Sequence, residues 1–184
     1  MNTIYLYKEI EALKKLDHPH IIKLETYFQL ESDQMALVLE YAKEGTLKQY
    51  LNSKKKLDEN ESKRIIIQLL ETLRYCHMKE IVHRDLKLDN IMLSNEEKNF
   101  IKIIDFGIAG LFQTENIKAG TIRYTAPEVL NGSDCDSRPS IDCWSVGCIT
   151  YELLTGERLF KGEVNSEIRV CIFSIYFIFF RKKY

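Results

Sequence analysis

Neither sign of charge is in surplus across the 184 residues: 26 Lys and Arg stand against 27 Asp and Glu, for a net charge of −1. That balance gives no global field to draw in nucleic acid or an acidic membrane, so no nucleic-acid partner is expected. The five cysteines, Cys76, Cys135, Cys143, Cys148 and Cys171, are odd in number and include no C-x-x-C pair. Both a disulfide framework and a zinc site are therefore disfavoured. The cysteines read as reduced, mostly structural thiols of an intracellular, cytoplasmic protein. No basic stretch followed by an apolar core opens the chain, so no secretory signal is expected. The apolar stretch VCIFSIYFIFF at 170–180 is eleven residues long, short of the roughly 20 a membrane span requires, and membrane attachment is not expected. No internal repeat or low-complexity linker divides the chain. Its 45% hydrophobic and 29% charged composition is that of one ordinary globular domain.

Apolar spacing supplies the coarse elements. Residues 7–16 place Ile10, Leu13 and Leu16 on one helical face, and Asp17-His18-Pro19 ends the pattern. The runs 21–28 and 35–42, separated by the polar stretch from Glu31 to Gln34, suit two adjacent antiparallel strands. From Asp58 a long core-facing helix is predicted, with Asp58 and Glu61 as a capping box and Ile66, Leu69, Leu70, Leu73 and His77 on one face. Short β-like runs at 81–83 and 100–105 follow. A helix from about Ile141 to Leu154, stopped by Thr155-Gly156, is apolar nearly all round and is expected to be buried.

Between the two short β-like runs lies HRDLKLDN, residues 83–90. Moving a phosphoryl group from ATP to a hydroxyl asks little covalent chemistry of a protein, but it demands in-line placement and neutralisation of the phosphate oxygens. Asp85 suits the role of accepting or orienting the hydroxyl proton. Lys87 suits a mobile point charge at the transferring phosphoryl, and Asn90 and Asp105 are the hard oxygen ligands that magnesium prefers.

Taken in order, HRDLKLDN at 83–90, DFG at 105–107 and APE at 126–128 resemble the catalytic core of eukaryotic protein kinases. The resemblance covers residues from about 5 to 165. It implies an α+β, protein-kinase-like two-lobe fold: a truncated N-lobe (1–40) retaining helix C and two strands, and a partial, mainly helical C-lobe (41–165) truncated after helix F. It also implies ATP and Mg as cofactors, and as partner a protein substrate with a Ser or Thr acceptor. Lys87 and the stretch GTIRYTAPE at 120–128 resemble the serine/threonine type, in which the equivalent of Thr121 hydrogen-bonds the catalytic aspartate and lysine.

Further roles come only from the same resemblance. Leu39 matches the gatekeeper, the backbone groups of Glu40 and Ala42 match those that hold adenine, and Met92 falls at the nucleotide site. Glu9 aligns with the glutamate that pairs with the phosphate-binding lysine. Leu13, Leu24, His83 and Phe106 align with a hydrophobic spine, and Gly107 completes the DFG. Arg84 resembles the arginine that grips a phosphate on the activation segment. Its partner is either Thr114, as a regulatory site, or no phosphate at all. Asp142 resembles the aspartate that accepts hydrogen bonds from the HRD backbone, and Trp144 reads as core.

Two departures bear on activity. No glycine-rich loop and no V-A-I-K lysine precede Glu9, which predicts poor nucleotide affinity. Glu128 is expected to lack the arginine that normally pairs with it. Residues 166–184 are expected to be an atypical apolar tail, of the kind that translated intron or frame-shifted sequence would produce, and an aggregation hazard if uncovered. The favoured reading is a serine/threonine protein kinase represented by an incomplete chain. The alternative is a catalytically inactive fragment that acts as a binding or regulatory module. Oligomeric state is left open.

Overall fold

The computed structural model describes residues 3–30, 34–95, 99–107, 110–111, 122–132, 138–163 and 165–180. The first helix, α1 (Thr3–Lys15), buries Ile10 and Leu13, with Leu16 just beyond its end. It ends before Pro19, whose fixed φ and missing N–H do not continue a helix. Strands β1 (Leu24–Gln29) and β2 (Met35–Leu39) pair antiparallel, with Tyr27 opposite Leu37. The first starts later than predicted because Ile21 and Ile22 leave it for β5 (Ile101–Ile103). There Ile22 N donates to Ile103 O at 3.0 Å and Ile103 N to His20 O at 2.8 Å.

A helix absent from the sequence prediction comes next, α2 (Leu47–Lys54). Its N-cap Thr46 accepts from Gln49 N while the Gln49 side chain accepts from Thr46 N, a reciprocal capping box. Helix α3 (Glu59–Met78) is capped by Asp58, which accepts from Glu61 N at 2.9 Å. Its core face differs from the predicted one. Ser62, Ile65, Leu69, Thr72, Leu73 and Cys76 are buried, whereas Leu70 is 45% exposed and Ile66 and His77 are partly exposed. The run Ile65-Ile66-Ile67 fits either face by spacing. The smaller residues Ser62, Thr72 and Cys76 select the face toward α5 (Ser140–Thr155), since they let the two helix backbones approach.

The remaining strands are short. β3 (Ile81–Val82) pairs with β6 (Gly110–Leu111), and β4 (Ile91–Leu93) pairs with β5, both antiparallel. Between β3 and β4 runs the 83–90 segment, ending in a 3-10 turn at Leu88–Asn90. A second 3-10 turn, Ile122–Tyr124, leads into the short α4 (Pro127–Leu130). Helix α5 ends at Gly156, which takes the left-handed conformation (φ 76°) and donates its N–H to Glu152 O at 2.8 Å. Predicted as buried all round, α5 keeps an exposed stripe at Cys143, Gly147, Tyr151 and Leu154, because apolar composition without a moment fixes no face.

The last helix, α6 (Asn165–Phe180), covers most of the segment expected to be a tail. Its first two turns bury Ile168 and Ile172 in the main core. That core joins Leu47, Leu51, Leu69, Ile91, Ile103 and Phe106 to Ile149 and Leu153 of α5. Trp144 stacks on Phe160 with ring planes 5° apart, as core rather than as a ligand platform. The whole is an α+β arrangement of small antiparallel pairs and a predominantly helical body. No described helix is long and apolar enough to cross a membrane.

Candidate active site

The 83–90 segment is bent by strain and held by a buried carboxylate. Arg84 has φ 73°, a left-handed conformation costly for a residue with a Cβ. Asp142, fully buried in the first turn of α5, offsets that cost. Its Oδ1 accepts from Arg84 N at 2.9 Å, its Oδ2 accepts from His83 N at 3.0 Å, and His77 Nε2 lies 2.8 Å from Oδ2. A carboxylate removed from water needs such donors, and here it has three.

On the other side of the bend Asp85, Lys87 and Asn90 converge. Lys87 Nζ donates to Asp85 Oδ2 at 2.5 Å, and Asn90 Nδ2 donates to Asp85 O at 2.9 Å and to Oδ2 at 3.1 Å. With both amide hydrogens committed to Asp85, the amide of Asn90 is oriented and its Oδ1 is turned to other partners. The Asp85 side chain is 11% exposed and that of Lys87 is 21%, so this pair meets solvent on one face only. Ile104 N donates to Asn90 O at 3.0 Å, which places Asp105 directly beyond a residue bonded to Asn90. Asp105 also has a positive φ, 65°, and its Oδ1 accepts from Gly107 N at 3.3 Å. Asp85, Lys87 and Asn90 thus form one hydrogen-bonded rim, and the main-chain bond from Ile104 N to Asn90 O sets Asp105 in the neighbouring strand end. The Asp105 carboxylate and the Asn90 amide oxygen are the hard donors that a magnesium ion prefers.

Phe106 locks this rim to α1. Its ring is fully buried and lies 4.7 Å from that of His83, whose Nε2 donates to Ile104 O at 3.0 Å while Nδ1 accepts from Asp85 N at 3.3 Å. Glu9 reaches Phe106 from α1 by a hydrogen bond to the backbone N–H. Burial and then the nearby Asp105 charge push the Glu9 carboxyl up to about 7, against which the Phe106 N–H works. The helix glutamate therefore meets another carboxylate.

Beside the 83–90 segment's neighbouring strands, Leu39 ends β2 opposite Leu24, and Ala42 is buried. Glu40 is held by its side chain: Lys102 Nζ donates to Oε2 at 2.8 Å and Lys23 N at 3.2 Å. Met92, half-buried in β4, pairs with Lys102 and bridges to Thr46. Glu128 is half-buried in the first turn of α4, and Gly107 is buried. Thr114 and Thr121 lie outside the described residues.

Sequence reasoning missed the contacts by which Lys48, Glu152, Tyr124 and Arg123 tie the site to its surroundings. Lys48 Nζ donates to Glu152 Oε1 at 2.6 Å, and Tyr124 OH to Glu152 Oε2 at 2.5 Å. Arg123 donates to Phe160 O and Gly162 O. Arg123 and Tyr124 lie within GTIRYTAPE, but no spacing announces these contacts; only the facing of α2, α5 and the Ile122–Tyr124 turn brings the four residues together.

Comparison with known proteins agrees with this geometry. The family model for the protein kinase domain matches residues 2–182. The chain belongs to the protein kinase domain family. Human NUAK family SNF1-like kinase 1 is 35% identical over 164 residues, 88% of this chain and 24% of its own length. NUAK family SNF1-like kinase 2 of Rattus norvegicus is 36% identical over 170 residues, 91% of this chain and 26% of its own. Serine/threonine-protein kinase SIK1 of the same species is 37% identical over 171 residues, 91% of this chain and 22% of its own. The chain thus spans about a quarter of the length of these curated relatives.

Proposed function

We propose that these residues are the transfer centre of a serine/threonine protein kinase that moves the γ-phosphoryl group of ATP to a protein hydroxyl. The observation that carries the reading is the convergence of Lys87 and Asn90 on one oxygen of Asp85, on a bend held from beneath by Asp142. In this reading the Asp85 carboxylate orients the acceptor hydroxyl and takes its proton. Lys87 balances the charge of Asp85 before transfer and meets the phosphoryl oxygens during it. Magnesium, when bound, supplies charge neutralisation to the phosphate oxygens, and Asn90 and Asp105 are the residues that would hold it. Backbone groups of Glu40 and Ala42 hold the adenine, with Leu39 and Met92 bounding it, and the Lys102–Glu40 ion pair steadies that edge. Lys87 together with GTIRYTAPE favours serine or threonine as acceptor, and by the same resemblance Thr121 is read as a partner of the catalytic aspartate and lysine. Arg84 is read as the holder of an activation-segment phosphate, for which Thr114 is the candidate. We read the protein as intracellular.

The decisive experiment offers the purified chain γ-labelled ATP, magnesium and peptide pools ending the reaction on Ser, Thr or Tyr. Label on Ser and Thr alone, reduced about 10²–10⁴-fold in Asp85→Asn, is the expected result. A folded chain that neither transfers label nor binds nucleotide in a magnesium-dependent way would overturn the reading. One observation favours a second reading, a binding module without transfer: burial and the Asp105 charge raise the Glu9 carboxyl toward its neutral form, which pairs only weakly with a cation. In that case nucleotide or a protein partner binds, and label is absent.

A further inference from the structure

Lys48 stands where helix electrostatics disfavour it. It lies in the first turn of α2, directly after the Thr46 cap, where the positive end of the helix dipole repels an ammonium. What holds it there is Glu152 of α5, 104 residues later, with Nζ 2.6 Å from Oε1. The Glu152 side chain is only 2% exposed, and that of Lys48 is 21% exposed. A carboxylate so far out of water is tolerated when a cation and hydrogen-bond donors compensate it. Its second oxygen, Oε2, accepts from Tyr124 OH at 2.5 Å. Burial, then this hydrogen bond and the Glu152 charge, push the Tyr124 hydroxyl far above its ordinary range, so it stays a donor.

The relay ends on a segment with a defined position. Tyr124 closes the Ile122–Tyr124 turn, and Ser145 Oγ of α5 donates to its carbonyl at 2.8 Å. The next residue along that relay's electrostatic surroundings is Asp89, whose charge acts on the Tyr124 hydroxyl and which directly precedes Asn90. Helix α2 itself packs against the Leu88–Asn90 turn. Three elements, α2, α5 and the Ile122–Tyr124 turn, thus meet around one buried carboxylate beneath the reactive rim.

We propose that Lys48 is a positioning residue: through Glu152 and Tyr124 it fixes the Ile122–Tyr124 turn against the segment carrying Asp85 and Asn90, and so sets where an acceptor peptide lies. The part concerning the acceptor rests on the kinase reading; the mechanical coupling does not. Without the ammonium, Glu152 keeps one donor for two buried oxygens. The Tyr124 hydroxyl then loses a rigid partner, and the turn is left to Ser145 and Arg123.

Amide hydrogen exchange on the whole chain tests the coupling without catalysis. Lys48→Met is expected to raise exchange across 122–126 at least about tenfold, with 81–93 and 100–107 changed less than about twofold. Lys48→Arg should restore protection, because a guanidinium can reach the same carboxylate. Tyr124→Phe should reproduce the Met variant's loss, and it serves as the second route if Lys48→Met does not fold. Unchanged protection at 122–126 in Lys48→Met, equal loss of protection everywhere, or loss in Lys48→Met but not in Tyr124→Phe would each overturn the proposal. Phosphotransfer gives the matching kinetic readout: acceptor-peptide KM is expected to rise about fivefold in Lys48→Met, with KM for ATP within about twofold. A parallel fall in every kinetic constant would count against positioning. Absence of transfer in the unmodified chain would count against the kinase reading alone and leave the exchange result to decide the role of Lys48.

Discussion

Asp142 holds the main chain of Arg84 from 58 residues away: its Oδ1 accepts the Arg84 N–H at 2.9 Å. Arg84 has the left-handed φ of 73° that turns Asp85 toward Lys87 and Asn90. The relation runs from a buried helix, through a strained peptide, to the Asp85 carboxylate. Backbone strain at one residue costs about 1–3 kcal/mol and persists only when its surroundings over-determine it.

Replacing Asp142 by Ala should therefore do two things. It leaves the N–H groups of His83 and Arg84 without their acceptor in a buried site, and it removes the carboxylate beside His77. A loss of about 3–5 kcal/mol is expected, as for breaking other buried charged contacts. Asp142→Asn retains one acceptor oxygen but turns an NH2 group toward a second donor, and about 1–3 kcal/mol is expected. Urea unfolding of the three proteins checks the order. Equal stability of the Asp142→Ala variant and the parent would show that Asp142 does not carry the bend.

Glu9 makes stability depend on pH in a specific direction. Its carboxyl is raised to about 7 by burial and then by the Asp105 charge, against an ordinary value near 4.5. The folded chain therefore binds this proton more tightly than the unfolded chain does. The resulting stabilisation is fully present below about pH 4.5 and fades as pH rises through about 7. Glu9→Gln mimics the protonated form at every pH. Relative to that variant, the parent should lose up to about 3 kcal/mol between pH 4.5 and 8, measured by urea unfolding at several pH values. A constant difference across that range would mean that Glu9 ionises freely in the folded chain.

The cap of α2 is a smaller and more local prediction. Thr46 Oγ1 accepts from Gln49 N at 3.2 Å and Gln49 Oε1 from Thr46 N at 2.9 Å. Thr46→Ala breaks the reciprocal pair and should cost about 1 kcal/mol, seen as a shift in the urea midpoint without a change in slope. Thr46→Ser should recover most of it. If the Ala variant matches the parent, the box contributes nothing to the folded chain.

That helix also marks where the sequence was and was not legible. The spacing T-x-x-Q at 46–49 is a capping signature, yet the few apolar residues after it, Leu47 and Leu51, are too sparse to announce an amphipathic helix. The grouping of Asp85, Lys87 and Asn90 was legible because one short segment, 83–90, carries all three, whereas the place of Asp142 beneath it was legible only through the family resemblance. The core face of α3 was misjudged because Ile65, Ile66 and Ile67 satisfy the helical period in more than one phase, so only the packing partner decides. The contacts among Lys48, Tyr124 and Glu152 were out of reach for a different reason. Each is an ordinary residue in its own element, and their meeting depends on how three elements face one another.

The cysteines give the last prediction. Burial pushes the thiols of Cys76 and Cys148 up to about 12, with the Asp142 charge adding to the shift at Cys76 and that of Glu152 at Cys148. Since the thiolate is the nucleophile, both should resist alkylation in the folded chain at pH 8. Cys143 lies on the exposed stripe of α5, and burial of part of its side chain followed by the Asp142 charge raises its thiol as well. It should therefore react, but more slowly than a free thiol in a peptide. Timed iodoacetamide labelling with mass-spectrometric site assignment should find Cys143 modified while Cys76 and Cys148 stay protected until urea unfolds the chain. Early labelling of Cys76 would show that α3 and α5 separate readily. That separation would also release Asp142 from His77 Nε2, because Cys76 and His77 are adjacent on α3.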